Sequence, residues 1–422
     1  MPITQEELAR RLRLARDACG LTQEAVAQHL GVSRPAIAQL ELGNRAVSSL
    51  ELDGLAYLYG RDIREFLADD FREEDALVAL FRLHPDVSSQ EDVQAGLRAS
   101  MEMGRELTNL ERLLGIERDR PALPAYPQRA PHSKWEAVQQ GEQVAIEERR
   151  RLQLGNAPLP DVAEILESQG VRTAQRTLPD ELSGLTLFDE RIGPFVVVND
   201  RDPGHRRLRR RFSYAHEYCH VVLDRGQKGA ISRSSDRDTH IEVRANAFAA
   251  AILMPREGVL EYVERLGKGR PSRLQTLVFD EGEAQRVEAR PAPGSQALQM
   301  HDVVLVAHHF GTSRLAALYR MKNVGLLTQS ELETLKDQET SGVGREYEQL
   351  LGLGQDDETA ESEFRHRFMA LALEAFRRDE ITLSKLRKLA EMVEVPAQDL
   401  DAVIARGSLE VADSGDGAQA GG

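Results

Sequence analysis

Two cysteines in 422 residues, Cys19 and Cys219, lie far apart in unrelated contexts. They give no disulfide framework, which fits a reducing compartment. Aromatic residues make up only 5% of the chain, so its cores are expected to be built from Leu, Val, Ala and Ile. No stretch reaches the roughly 18 apolar residues that a membrane helix needs. The N-terminus lacks the apolar run after a basic start that marks a signal peptide. These absences predict a cytoplasmic protein with no membrane role. Positive charge is also scarce, since the formal net charge is −15. A uniformly acidic surface repels nucleic acid, so any contact with DNA must be local.

What is present is enough for several folded units. At roughly 100–200 residues per domain, two to four are expected. Residues 1–67 read as short helices separated by turn signals, with Thr22 and Ser33 as caps and Gly31 as a stop. Residues 68–132 read as a charged helical connector followed by a linker. Pro121, Pro124, Pro127 and Pro131 bar a helix from that linker. A third unit spans 133–267. It opens with helical patterns at about Lys134–Leu154 and Pro160–Ser168. Strand candidates follow at Val171–Leu178, Leu185–Phe188 and Phe195–Val198, then long helices at about His205–Leu223 and Glu242–Leu253. Residues 268–299 are rich in Gly, Pro and charge and are expected to be an insertion or loose loop. Residues 300–340 form a helix-turn-helix-like extension, and 341–410 a C-terminal helical domain with a similar stretch at Ile381–Ile404. The tail at 411–422 has the composition of disorder. The predicted fold class is mainly α with a small β-sheet (α+β).

The strongest chemical signal is His216-Glu217-Tyr218-Cys219-His220. Histidines four apart share one face of a helix and can grip one Zn²⁺, and the glutamate between them can reach a water on the metal. Downstream, Glu242 opens a second amphipathic helix and shares a face with Asn246. A catalytic zinc takes three protein ligands and leaves a position for water. His216, His220 and Glu242 are therefore the candidate ligands, with Glu217 as general base. Zn²⁺ lowers the pKa of bound water to about 7, so that hydroxide forms at neutral pH. The sequence does not identify a group that steadies the oxyanion; Tyr214, Tyr218 and His240 are candidates, with a structural role as the preferred reading of each. Cys219 reads as a small packed residue, with a redox or metal-occupancy switch as the alternative. The run from His205 to Arg211 reads as a solvated helix face, with nucleic-acid binding as the alternative.

In the N-terminal unit, Leu30-Gly31-Val32-Ser33 joins two short helices as a helix-turn-helix does. The second, from Ser33 to about Leu42, would enter the major groove N-terminus first. Ser33, Arg34 and Gln39 fall on its outer face, and Arg and Gln suit guanine and adenine. Gln23 is placed to bond a phosphate, and Asn44 and Arg45 the backbone. Residues 1–67 hold eight arginines against nine acidic residues, but Arg10, Arg11, Arg13 and Arg16 cluster on the first helix. The alternative is a helical bundle that binds protein.

At these motifs the chain resembles known families. Leu21-Thr22-Gln23-Glu24-Ala25-Val26-Ala27, Gly31-Val32-Ser33 and Gln39–Arg45 are similar to the XRE/Cro/C1-type repressor domain. Arg211–His220 and Glu242–Pro255 resemble the ImmA/IrrE metallopeptidases, as does the helical stretch His309–Arg320. Cys219 departs from the glycine common in that family and leaves the ligands intact. The resemblance implies an operator-binding regulator whose zinc endopeptidase cleaves a helix-turn-helix repressor, itself or a partner. The genes it would control serve stress, DNA damage, mobile elements or phage defence. The implied partners are double-stranded operator DNA, the protein substrate and a second copy in a homodimer. The implied cofactor is Zn²⁺, with Mn²⁺ as a substitute in vitro. Two alternatives stay open: a non-catalytic, ligand-sensing transcription factor, and the antitoxin of a toxin–antitoxin pair.

Overall fold

Capping side chains set the N-terminal helices. Thr4 accepts from the Glu7 N–H at the start of α1 (Gln5–Ala18), and Thr22 from Ala25 at the start of α2 (Gln23–Leu30). Gly31 ends α2 at φ 65°, a conformation that glycine takes without cost. Then come α3 (Arg34–Glu41), α4 (Ser49–Leu58) and α5 (Ile63–Leu67). Leu12, Val26, Ile37, Leu40, Leu55 and Phe66 close a core of their own among these helices. The computed structural model describes residues 3–69, 71, 80, 90–116, 123–189, 192–200, 206–227, 229–269, 274–280, 283–289, 296–353 and 363–405. His205 and the tail at 411–422 lie outside the described residues.

The rest of the chain is organised by one four-stranded sheet. Its strands are β1 (Arg172–Arg176), β2 (Leu182–Asp189), β3 (Gly193–Asn199) and β4 (Gly229–Arg233), in the order β1-β3-β2-β4. β1 runs parallel to β3; β2 runs antiparallel to both β3 and β4. Side chains alternate across a strand, so one sheet feeds two cores. Val196 and Val198 face a core made with α7 (Lys134–Arg151), α8 (Val162–Ser168), α9 (Arg206–Leu223), α10 (His240–Leu253) and α11 (Arg256–Arg265). Leu185, Leu187, Phe195, Val197 and Ile231 face the other core.

That second core comes from the two ends of the sequence. Val93, Leu97, Met101, Leu107 and Leu110 on α6 (Glu91–Leu113) meet Phe364, Phe368 and Ala372 on α16 (Glu363–Arg377). Leu386 and Leu389 of α17 (Leu383–Met392) and Leu400 of α18 (Ala397–Ala405) complete it. The part of the expected connector that forms α6 is thus a wall of the sheet. Arg64 of α5 donates to Asn109 on α6 at 3.1 Å, and Glu65 pairs with Arg105 at 3.5 Å, so polar contacts join the N-terminal unit to α6.

Three further differences from the sequence expectations have physical reasons. β4 is only five residues long and opens on Gly229, so it carries no alternation that a sequence reading could detect. Residues 268–299, expected as an insertion or loose loop, hold β5 (Leu274–Asp280) and β6 (Glu283–Ala289), an antiparallel pair in which Asp280 lies opposite Glu283. The proline-rich linker is docked where it is described. The Tyr126 N–H donates to the Val222 carbonyl, and Arg225 donates to the carbonyls of Leu123 and Pro124. Beyond the hairpin, α12 (Met300–Phe310), α13 (Arg314–Asn323), α14 (Gln329–Thr340) and α15 (Val343–Leu350) extend the first core. Arg211, in the basic run, is buried and donates to the carbonyls of Leu159, Pro160 and Gly311. With Arg210 bonded to Gln175, this part of the run ties helices and strands together, whereas Arg209 is exposed. Among the described residues, no helix is long and apolar enough to cross a membrane.

Candidate metal centre and DNA-reading helix

The α9 helix carries His216, Glu217 and His220 across the sheet, and α10 lies beside it. Thr239 caps α10 by accepting from the Glu242 N–H, which fixes Glu242 in the first turn. Gly141 sets how closely α7 approaches α10. A methyl there would collide with the Arg244 carbonyl and lie 2.8 Å from the Phe248 nitrogen. The structure brings His216, His220 and Glu242 together, with ligand atoms within 4.8 Å of one another. His216 Nε2 lies 3.1 Å from Glu242 Oε2, and His220 Nε2 lies 3.5 Å from Glu242 Oε1. The two Nε2 atoms are 3.4 Å apart.

The far side of each imidazole decides what these atoms offer. His216 Nδ1 is 3.0 Å from Asn246 Oδ1, and His220 Nδ1 is 2.8 Å from Asp224 Oδ2. Both partners are acceptors, so each Nδ1 carries its hydrogen and, in the neutral ring, each Nε2 turns a lone pair toward the other. Two lone pairs and a carboxylate aimed at one point repel unless positive charge lies between them. The spacing also fits a cation: tetrahedral bonds of about 2.0–2.1 Å set two nitrogen donors about 3.3 Å apart. The electrostatics agree. Burial opposes charge on His220, yet Asp224 and Glu242 raise its pKa to about 10. Burial opposes ionisation of Glu242, yet its two histidine partners lower its pKa to about 2. Arg244 pairs with the other oxygen of Asp224 and holds that carboxylate in place. The residues present therefore fit a zinc-type ion with a supporting second layer.

Glu217 is 1% exposed. Its Oε2 accepts from the Thr186 hydroxyl at 2.7 Å, and its carboxyl group lies against Gly184 on the same strand. The three oxyanion candidates make structural bonds, the reading preferred for each. Tyr214 and Tyr218 stand two residues from His216, on the far side of α9. The Tyr214 hydroxyl donates to the Ala174 carbonyl and that of Tyr218 to Glu148. His240 Nδ1 lies 3.0 Å from the Pro131 carbonyl oxygen. Cys219 is fully buried, and burial pushes its thiol well above the usual range, as packing requires and thiolate chemistry does not. Sequence reasoning missed Asp224, Arg244, Thr186 and Gly184, and gave Asn246 no role. Asp224 was within reach, because it lies four residues beyond His220 on the same face.

In the N-terminal unit, Ser33, Arg34, Gln39 and Asn44 are exposed along α3 and the turn after it. Ser33 occupies the N-cap of α3 without using its hydroxyl as a cap. Several candidates have intramolecular partners. Gln23 donates to Glu41 at 2.8 Å, Asn44 donates to Gln39 at 3.0 Å, and Arg45 pairs with Glu51 at 2.6 Å. The expected basic cluster on α1 is neutralised from within. Arg16 pairs with buried Glu41, Arg11 donates to the Phe66 carbonyl and pairs with Glu7, Arg10 also pairs with Glu7, and Arg13 faces Asp17.

Comparison with known families separates the two regions. Residues 7–67 match the family described as the helix-turn-helix domain, and residues 166–276 match the IrrE N-terminal-like domain. This chain joins a helix-turn-helix domain to an IrrE-like domain. No curated protein matches the chain. The helix-turn-helix domain includes Gln23, Ser33, Arg34, Gln39, Asn44 and Arg45. The IrrE-like domain has a metallopeptidase-type fold and includes both the histidine motif and Glu242.

Proposed function

We propose that the protein is a DNA-binding regulator whose IrrE-like domain is a zinc-dependent endopeptidase. The observation that carries this reading is the convergence of His216, His220 and Glu242, with their outer nitrogens held by Asn246 and Asp224 and with Glu217 next in the chain. The three ligands would hold Zn²⁺, which when bound polarises a peptide carbonyl and makes water more acidic. Glu217 would take a proton from the attacking water and deliver it to the leaving amide nitrogen. The peptide C–N bond breaks, and a carboxylate and an amine are released. Ser33, Arg34 and Gln39 would read operator bases, with Gln23, Asn44 and Arg45 at the backbone. Gln23, Gln39, Asn44 and Arg45 would have to exchange their intramolecular partners for DNA. The protein would act as a homodimer on a two-fold operator. The substrate would be a helix-turn-helix repressor, itself or a partner, and the controlled genes those of stress, DNA damage or mobile elements. This reading assigns 1–67 to DNA reading and extends the catalytic unit from 91 to 405, beyond the 133–267 expected from sequence.

The test is incubation with Zn²⁺ or Mn²⁺ and candidate repressors, with cleavage followed by mass. Glu217→Ala should abolish a single metal-dependent cut while operator retention in a gel shift stays unchanged. Cutting by the variant would refute the mechanism. One observation favours a second reading. His216, Glu217, His220 and Glu242 are all buried, and so enclosed a site also suits a metal-holding sensor. Operator affinity that follows metal loading, with no cleavage of any partner, would support the sensor.

A further inference from the structure

The sheet beneath α9 has two unlike faces. The side of β2 and β4 turned away from the helix carries Leu185, Leu187 and Ile231. The register pairs Gly184 with Ser232 and Thr186 with Ala230, so these four share the opposite face, toward α9. All four are small, and two bear hydroxyls. The Thr186 hydroxyl is fully buried and 2.7 Å from Glu217 Oε2. At Gly184, an added methyl would overlap Glu217 Oε1 and lie 2.8 Å from its Cδ. One oxygen of the carboxylate is therefore bonded, and the other lies where only a residue without a side chain leaves room.

We infer that Thr186 and Gly184 are positioning residues for Glu217, a two-point clamp that holds its carboxylate in one orientation beside the metal ligands. The inference rests on the reading of Glu217 as the base. Neither residue touches His216, His220 or Glu242 through any bond described above. Losing the clamp should misplace the carboxylate without removing a ligand, and misplacement of a reacting group by about 1 Å can cost on the order of 100-fold in rate.

The test uses the full-length, zinc-loaded protein. The infrared difference between the parent and Glu217→Gln isolates the Glu217 carboxylate stretch without any turnover. Thr186→Val should move that band and lower turnover about 100-fold at unchanged zinc content. Thr186→Ser keeps the donor and should restore both. Gly184→Ala should move the band by a second route that leaves the threonine intact. A band unmoved in both Thr186→Val and Gly184→Ala overturns the clamp, whatever happens to turnover. If the band moves but Glu217→Gln still cuts, the clamp stands and the assignment of Glu217 as base fails.

Discussion

At the residue scale, the proposed metal centre would depend on atoms that never meet the metal. Asp224 holds the Nδ1 hydrogen of His220 and is itself held by Arg244, so His220 cannot turn its other nitrogen inward. Removing such an outer partner typically costs about 10–100-fold in metal affinity. Asp224→Ala should therefore weaken zinc binding by about that factor in a chelator competition. Asn246→Ala should do the same through His216. Unchanged affinity in both variants would mean that packing alone orients the rings. The clustered histidines were legible in the sequence, because a four-residue spacing is a local property of a helix, and Glu242 through the second amphipathic helix that carries it. Thr186 and Gly184 were not. They reach Glu217 only because β2 is laid under α9, and nothing in Gly184-Leu185-Thr186 says which helix will cover it.

At the scale of elements, the site is set by how closely helices approach. α7 and α10 lie side by side, with Gly141 against the backbone of α10. Gly141→Val should force them apart and cost roughly 1–3 kcal/mol, the usual range for overpacking. Urea unfolding would measure it, with exposed Gln143→Ala as the control. A midpoint unchanged by Gly141→Val would refute the close-packing account. Helices with caps and apolar periodicity, such as α2 and α10, could be read from sequence because their signals lie within a few residues. β4 could not, since its place is fixed by pairing with β2 across the chain. The electrostatics of α1 misled for the same reason: Arg16 looks free in sequence, and only the fold supplies Glu41.

At the scale of the molecule, the sheet is a partition shared by two cores. The segment that matches the IrrE-like domain, 166–276, supplies the sheet, α9 and α10, but not α6, α7 or α16. Removing residues 363–422 should uncover the side of the sheet that bears Leu185, Phe195 and Val197. Such a truncated chain is expected to bind a hydrophobic dye and to associate, which fluorescence and size-exclusion chromatography would register. A dye-silent fragment in the same oligomeric state as the full chain would show that the second core is dispensable. The sequence hid this arrangement because α6 and α16 are more than 200 positions apart, and no local pattern joins them.

The same partition sets an order of events during synthesis. The N-terminal helices close their own core by residue 67, while the ribosome still has most of the chain to make. The sheet has one face covered early by α6, but α16, α17 and α18 emerge well after the sheet. Until they do, the strand that bears Thr186 has no finished wall behind it. A nascent or prematurely ended chain would therefore hold a finished helix-turn-helix domain and an unfinished IrrE-like domain, which on the proposed function makes it a competitor for the operator that cannot cut.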